Sequence, residues 1–350
     1  MKNIIQNPMT GGDKVYSLDE RIENNLKEIY ENEIVPLKAI IEFVEKYKKF
    51  KLSGAEELSE LFNAKTEEEE VISTHGLPGF FAGNRDADTV MLMLNPGQDV
   101  ALANNPMTTY ERIERGKKIE KGIDIKSLEA FISTYKEDSI NYGDIDKDRA
   151  DNFDLKQAAF LKHWDDCGVD FAGFLDDDYK EKGKDDKEKI NKEAKRNVLM
   201  QKLSMDLIPY ASRKFEGINS NKMELLFPYL ETLFHEIFKK ERKYVIFCSA
   251  FYVNLFKQYN KWENRKRKWE IKECVDEPIS SDKVFDQKDG KKRLAYCTPI
   301  TIRQKDNNMQ QNAIIAHTFP NQSLPNAYEK MEEYGRFCFD EWKKAFERKI

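Results

Sequence analysis

The chain has 350 residues, of which 40% are apolar and 12% aromatic, so it can bury a large core as one or two domains. Charged residues make up 35% of the sequence, but the net charge is only −5, which excludes a uniformly basic protein and still allows a local basic groove. The five cysteines are far apart and form no C-x-x-C pair, which predicts reduced thiols in a cytoplasmic protein and no zinc or iron–sulfur site.

The N-terminal region, residues 1–75, is predicted to form a helical cap. Ser17 and Glu20 form a capping-box pattern that opens an amphipathic helix, with a break expected at Pro36. A second short helix is expected from Ala55 to Phe62. The start of the chain has no apolar core of signal-peptide length, and no later run has the length of a membrane span, so neither secretion nor membrane insertion is predicted.

The first core strand is predicted in VMLMLNPG, from Val90 to Gly97. A continuous apolar run of this kind is typical of a strand buried on both faces of a parallel sheet. In open α/β sheets, ligands bind beyond the carboxyl ends of such strands, so Asn95, followed by Pro96, is a site candidate. The alternative is a strand that simply ends at an Asn-Pro turn.

A long charged insertion, residues 108–197, follows this strand and is predicted to consist mostly of solvated helices and loops, with a lid role left open. Its His163 is interpreted as a partly exposed helix histidine. The next helix, expected from Asn221 to Lys240, contains His235, which is interpreted as structural.

Two further apolar segments end in polar residues. MDLIPYASRKF places Asp206 at a second strand end, and NAIIAH places His317 at the end of a last buried strand. Between them, KYVIFCSAFYVNLFKQY predicts a strand, a turn and a helix, and Asp289-Gly290 predicts a hairpin turn. Three strand ends therefore carry polar side chains, whereas the common motifs of nucleotide hydrolases, dehydrogenases, esterases and zinc proteases are absent from the sequence.

The NPG sequence after the first core strand and the loop HTFPNQS after the last resemble the uracil-DNA glycosylase superfamily. The most similar branches are the mismatch-specific and single-strand-selective ones, whose first motif has the form Gly-x-Asn-Pro-Gly. Here Met93 occupies the place of the leading glycine. The phrases LPGFFAGNRDADTVMLMLNPG and IPYASRKF also resemble a bacterial group of this superfamily whose role is open. The resemblance covers roughly residues 77–97 and 202–329.

This resemblance implies a three-layer α/β/α sandwich with a central, mostly parallel four-stranded sheet in residues 76–350. It also implies a monofunctional DNA glycosylase that hydrolyses the base–sugar bond of a flipped base, in DNA repair or phage defence, with no cofactor or metal. Asn95 would position the attacking water, and His317 would donate a hydrogen bond to the base. Pro96 and the main-chain amides near Gly97 and Gln98 would complete the substrate site. One alternative stays open, in which His317 only caps a turn. Asp99 offers another register of the motif, which is set aside because Asp99 has no following proline and lies too far beyond the strand.

Two departures from the superfamily bear on the base. Gly97 stands where the main uracil-excising branch has a bulky aromatic residue, so a C5 substituent should fit. Asp206 aligns with an asparagine that reads uracil in the single-strand-selective branch, and a carboxylate can accept from the N4 amine of cytosine but cannot donate to the uracil O4. The expected base therefore carries an exocyclic amine, such as a C5-modified cytosine, and Ser212 is expected near it.

The expected partner is DNA, single- or double-stranded, with no membrane and no inferable protein partner. The stretch from Lys257 to Lys272 interleaves tryptophan with basic residues, which suits phosphate and bases but equally suits a charged helix face. A catalytically silent nucleic-acid-binding module and a hydrolase of free nucleosides or nucleotides are the alternative functions. The residues expected to contact DNA are Arg213, Lys214, Arg265, Arg267, Phe319, Ser323 and Leu324.

Overall fold

The structure is a computed structural model that describes residues 17–31, 45, 53–62, 72, 79–94, 127–130, 132–133, 152–164, 173–210, 212, 218–263, 267–286, 292–318 and 328–347. Seven α-helices lie in these ranges: α1 (Leu18–Ile29), α2 (Ser53–Ser59), α3 (Asn152–Leu161), α4 (Lys184–Gln201), α5 (Phe227–Ile237), α6 (Phe251–Lys261) and α7 (Tyr328–Phe346). The eight strands are β1 (Phe81–Gly83), β2 (Thr89–Met93), β3 (Lys202–Asp206), β4 (Tyr244–Phe247), β5 (Trp269–Glu273), β6 (Ile279–Asp286), β7 (Lys292–Gln304) and β8 (Gln310–Ala316).

All eight strands form one mixed sheet with the order β1-β3-β2-β4-β8-β7-β5, and β6 pairs with the outer part of β7. The strands β3, β2, β4 and β8 run parallel, whereas β1 is antiparallel to β3 and β7 is antiparallel to β8, β5 and β6. The α/β class is confirmed, but the predicted four-stranded sheet is too small. The predicted hairpin is present as β6 and β7, and the sequence did not indicate that β7 would also pair with β8 and extend the sheet.

Helices cover both faces of the central strands. On β2, Val90 and Leu92 belong to a buried cluster that includes side chains of α1, α5 and α6, whereas Met91 and Met93 belong to a second cluster with α3, α4 and α7. The chain passes from β2 to β3 in one direction across the sheet and from β3 to β4 in the other. Because such connections are right-handed, reversing the direction moves the connecting helices to the opposite face.

The predicted N-terminal helix begins at the capping box. The Ser17 hydroxyl accepts from the Glu20 amide at 3.2 Å, and the Glu20 carboxylate accepts from the Ser17 amide at 2.8 Å. Leu18 and Ile22 are buried in the same cluster as the sheet residues. The described part of the predicted cap therefore shares its core with the α/β region.

Part of the charged insertion is buried in the core. Helix α3 lies against α7, and Trp164, just after α3, is buried and donates from Nε1 to the Gly335 carbonyl at 2.9 Å. Within the described ranges, no helix is long and apolar enough to cross a membrane.

Candidate active site at the carboxyl edge of the sheet

The strand register brings Asp206 and His317 to the same edge of the sheet. Met93 pairs with Asp206, Leu92 pairs with Phe247, and Phe247 pairs with Ile315. Asp206 therefore lies at the level of Ala316, and His317 lies one residue further along. Both residues end parallel strands, on either side of the β2–β4 pair.

The connections from these two strands also lead in opposite directions across the sheet. The connection after β2 leads to β3 on one side, and the connection after β4 leads towards β8 on the other. In open α/β sheets, such a switch point leaves a crevice at the carboxyl ends, and ligands bind there.

Asp206 and His317 are too far apart for direct contact. Their strands are separated by three inter-strand spacings, which is roughly 14 Å. Asp206 belongs to the side of β3 that faces α3 and α7, whereas His317 contacts Thr298 on the side of α6. A ligand that touches both residues must therefore lie across the ends of β2 and β4.

Asp206 ends a polar row on β3 that also contains Lys202 and Ser204. These side chains alternate with the buried Leu203 and Met205, as the two-residue period of a strand requires. Lys202 is buried and donates from Nζ to the Ser204 hydroxyl at 2.6 Å. Burial lowers the pKa of the Lys202 amine.

The surroundings of Asp206 favour its neutral form. Burial raises the pKa of Asp206 to about 8, although the nearby Lys202 opposes this shift. The other groups near this row are the Tyr252 hydroxyl from α6, the Cys248 thiol after β4, and Asp154 of α3 near Lys202. At pH 7 most molecules carry a neutral Asp206, which both donates and accepts a hydrogen bond. The carboxylate form, on which the predicted base preference rests, predominates only above about pH 8.

Tyr252 binds the end of β2 through a hydrogen bond. Its hydroxyl donates to the Met93 carbonyl, and its ring is fully buried. Backbone hydrogen bonds also continue past the end of β2. The Leu207 and Ile208 amides donate to the Met93 and Leu94 carbonyls at 3.0 and 2.9 Å. The chain that continues into Asn95 thus leaves from an anchored strand end.

His317 is held in one place by its backbone and by its ring. Its amide donates to the Tyr296 carbonyl at 3.1 Å, and its carbonyl accepts from the Ala250 amide at 3.1 Å. Nε2 lies 2.8 Å from the Thr298 hydroxyl oxygen, and Nδ1 has no hydrogen-bond partner among the described residues. Burial, together with the Lys257 cation, lowers the pKa of His317 to about 4. The imidazole is therefore neutral near pH 7 and can offer a ring nitrogen to a ligand.

The structure also gives partners for the two other predicted site residues in the described ranges, Ser212 and Arg267. Ser212 is buried and forms an isolated bridge with Ile72. Arg267 precedes β5 and donates to Asn260 at 3.2 Å. It lies at the amino end of β8, about 23 Å along that strand from His317. Arg267 and His317 therefore do not share one local site.

Ten predicted site residues lie outside the described residues, and the structure gives no placement for them. They are Asn95, Pro96, Gly97, Gln98, Arg213, Lys214, Arg265, Phe319, Ser323 and Leu324.

Two other histidines have structural partners. Nε2 of His163 lies 2.8 Å from a Glu332 carboxylate oxygen, and His163 is partly exposed. The ring of His235 contacts the Trp269 ring edge-on at 4.5 Å between centroids. His163 is partly exposed, as predicted, but it lies in the turn after α3 and not in a helix. His235 packs against a core tryptophan, as expected for a structural histidine.

Thr298, Tyr252 and Lys202 were not identified from the sequence. Thr298 lies within a strand of the hairpin, and its contact with His317 depends on the pairing of β7 with β8. The alternation of Lys202, Ser204 and Asp206 with apolar residues was a usable signal, because three polar residues on one side of a central strand demand partners or a ligand. No group of three potential metal ligands occurs in the part of the chain that the structure describes.

Comparison with known proteins found no matching family model, no matching curated protein and no matching solved structure. The resemblance to uracil-DNA glycosylases therefore rests on the short sequence motifs alone.

Proposed function

We propose that this protein is a DNA glycosylase that hydrolyses the N-glycosidic bond of a flipped base. The observation that carries the proposal is the arrangement of Asp206 and His317 on either side of the β2–β4 pair, within one residue of the same level at the carboxyl edge. The Asn95-Pro96-Gly97 sequence begins two residues beyond the end of β2. We propose that the crevice combines the neutral imidazole of His317, the carboxyl group of Asp206 and the side-chain amide of Asn95.

The proposed chemistry assigns one task to each group. When the bond between C1′ and the base nitrogen breaks, its electron pair leaves with the base, and positive charge develops on the sugar. A water held by the Asn95 side chain forms the new C1′–O bond and releases a proton to solvent. His317 donates a hydrogen bond to the base oxygen on which negative charge develops. A neutral imidazole suits this task across the physiological pH range, because its donor does not disappear by titration near pH 7.

Asp206 is assigned to reading the base. In its neutral form it can donate to the O4 of a uracil-type base or accept from the N4 amine of a cytosine-type base. In its ionised form it accepts only, so the amine-bearing base is favoured and the 4-oxo base is left facing an acceptor. A C5 substituent is expected to fit because residue 97 is glycine.

The test is an excision assay with single-stranded and duplex DNAs that carry uracil, hydroxymethyluracil, cytosine or a C5-modified cytosine, scored as abasic sites cleaved by alkali. His317→Ala and Asn95→Ala should each reduce excision by about 10²- to 10⁴-fold. His163→Ala is the matched control, because it removes a partly exposed histidine remote from the carboxyl edge and should leave the rate unchanged.

Two results would replace this proposal. Salt-sensitive DNA binding without any abasic product would favour a silent binding module. Release of bases from free nucleosides or nucleotides, with no DNA binding, would favour a nucleoside or nucleotide hydrolase.

A further inference from the structure

A charged cleft lies at the amino edge of the sheet, where β5 begins and β7 ends. Its volume is about 410 Å³, and it is lined by three cationic side chains and one carboxylate, those of Arg267, Arg303, Lys305 and Glu270. Sites for small molecules have volumes of roughly 300–1,000 Å³, but most are lined by apolar groups. The cleft is therefore large enough for a small ligand, and its charged lining suits an anion.

The cleft and the candidate active site lie at opposite edges of the sheet. Arg303 pairs with Gln310, the first residue of β8, whereas His317 follows the last residue of that strand. A ligand bound in the cleft therefore does not occupy the crevice at the carboxyl edge.

The pairing of β5 with β7 brings the cleft residues together. Glu270 lies directly opposite Arg303, and Lys305 follows just after the end of β7. Along their strands, Glu270 and Arg303 alternate with the buried Ile271 and Ile302. Because successive side chains of a strand point to opposite faces, the two charged side chains lie on the face turned away from those core residues.

Neutral amide groups orient both arginines. Arg303 donates to the side-chain carbonyl of Asn308 in the turn between β7 and β8, and Arg267 donates to that of Asn260 on α6 at 3.2 Å. Among the described residues, no carboxylate forms an ion pair with Arg303. A guanidinium group has five N–H donors, so Arg303 keeps donors that can bind a ligand.

The cations of the cleft repel one another. Burial and, to a smaller extent, the Arg267 cation lower the pKa of Lys305. Three carboxylates oppose this shift without reversing it, namely those of Glu270, Asp306 and Glu231. A bound anion would relieve the repulsion between the cations, so the electrostatics of the cleft favour its binding.

The charges in the lining match those of a phosphate. Three cations and one carboxylate leave two positive charges in excess, and a phosphate monoester carries about −1.5 to −2 at pH 7. Arginine and lysine bind phosphate oxygens through charge-assisted hydrogen bonds. A phosphodiester of a nucleic-acid backbone carries a single charge and matches the excess less well.

We propose that the cleft binds a doubly charged phosphate group, that of inorganic phosphate or of a phosphate monoester, with Arg267, Arg303 and Lys305 as donors. Glu270 weakens this binding, because its carboxylate repels the ligand. The site goes beyond the proposed glycosylase function and does not rest on it, since it lies at the other edge of the sheet.

The experiment measures the affinity of the full-length protein for inorganic phosphate and for the monoester AMP by isothermal titration calorimetry. Arg303→Ala should weaken the binding by about 10- to 100-fold, because charge-assisted hydrogen bonds to the ligand are lost. Arg196→Ala is the matched control, since Arg196 is an exposed arginine on α4, which contacts β1 and β3 at the other end of the sheet. It should leave the affinity unchanged, and thermal melting checks that each variant is folded.

A second variant should change the affinity in the opposite direction. Glu270→Gln removes the carboxylate from the lining and should strengthen phosphate binding by about 3- to 30-fold, because a repulsive charge is lost. A folding defect cannot produce such a gain, so this variant tests the site even if Arg303→Ala is unstable. Glu193→Gln, at an exposed position of α4, is its control and should have no effect.

The outcomes are independent of base excision. Saturable binding that is weakened in Arg303→Ala and strengthened in Glu270→Gln supports the site, and the tighter of the two compounds identifies the source of the phosphate. No saturable binding of either compound, or equal affinities in all variants, overturns the site even if the protein excises bases. Arg303-dependent binding of a single-stranded oligonucleotide without a terminal phosphate, with no binding of the two small compounds, would replace it by a contact to a nucleic-acid backbone.

Discussion

Thr298 and His317 meet across the β7–β8 pair, with the Thr298 hydroxyl oxygen 2.8 Å from His317 Nε2. When the hydroxyl donates to Nε2, the single proton of the neutral ring lies on Nδ1, the nitrogen that has no partner among the described residues. The threonine then sets the tautomer in which His317 can donate to a ligand. Thr298 is 1% exposed, so solvent hardly competes for this contact.

Thr298→Val should reduce base excision by up to about 100-fold while DNA affinity stays within a factor of two or so, because the ring loses its fixed tautomer and orientation but the binding surface is kept. Nitrogen chemical shifts of His317 should change from one dominant tautomer to a mixture. Thr298→Ser keeps the hydroxyl and should restore both properties. A valine variant with native excision and a native tautomer would remove Thr298 from the site.

The base preference should change with pH. Because burial raises the pKa of Asp206 to about 8, the ratio of excision of amine-bearing to 4-oxo bases should rise between pH 7 and pH 9, when Asp206 becomes an acceptor only. The pKa of His317, lowered to about 4, lies below this window and does not contribute to the change. Competition assays with paired oligonucleotides measure the ratio. In Asp206→Asn the ratio should not depend on pH, and a native ratio that is flat over this range would contradict the assignment.

Asp206 should also make stability fall as pH rises. Its pKa in the folded protein, about 8, is above its ordinary value near 3.8, so the folded state keeps a proton that the unfolded chain releases. The free energy of unfolding should therefore decrease between about pH 4 and pH 8, by at most about 1.4 kcal/mol per pH unit, and level off above pH 8. Urea denaturation at pH 5, 6.5 and 8 measures the slope. Asp206→Asn should flatten it, and an equal slope in the variant would assign the effect to other groups.

Lys202→Met should shift the base-preference transition to higher pH. The Lys202 cation lowers the pKa of Asp206, so its removal lets burial raise that pKa further. The variant should be at least as stable as the native protein at pH 7, because a buried amine is replaced by an apolar side chain of similar length. The pH at which the excision ratio changes is the measurement. A shift to lower pH would mean that the two groups do not interact in this way.

Gly335→Ala and Gly83→Ala should be strongly destabilising. A Cβ at Gly335 would lie 1.8 Å from the Phe160 carbonyl oxygen, where α7 crosses α3. Gly83 has a φ of +85°, and its Cβ would lie 2.4 Å from the Lys202 carbonyl oxygen. Each change should cost about 2 kcal/mol or more by urea denaturation. Gly183→Ala is the control, because its nearest contact would be 3.8 Å away, and it should cost about 1 kcal/mol or less.

The local elements were predictable because their signals lie within a few residues. The capping box of Ser17 and Glu20 starts α1 as predicted, and the apolar runs before Asn95 and His317 correspond to β2 and β8. Periodicity and capping depend on neighbouring side chains, so the sequence alone indicates them. The same reasoning identified His317 as the residue that ends the last parallel strand.

The sequence by itself thus determined an α/β fold and the polar residues at its strand ends. Tertiary structure alone decided that Thr298 contacts His317, that burial beside Lys202 raises the pKa of Asp206, and that β7 extends beyond β8 to pair with β6. The Thr298–His317 contact depends on how β7 pairs with β8, and the burial of Asp206 depends on packing between segments that are far apart in the sequence, such as β2 and β3, where Met93 pairs with Asp206. Neither the register nor the depth of burial is encoded in a local pattern.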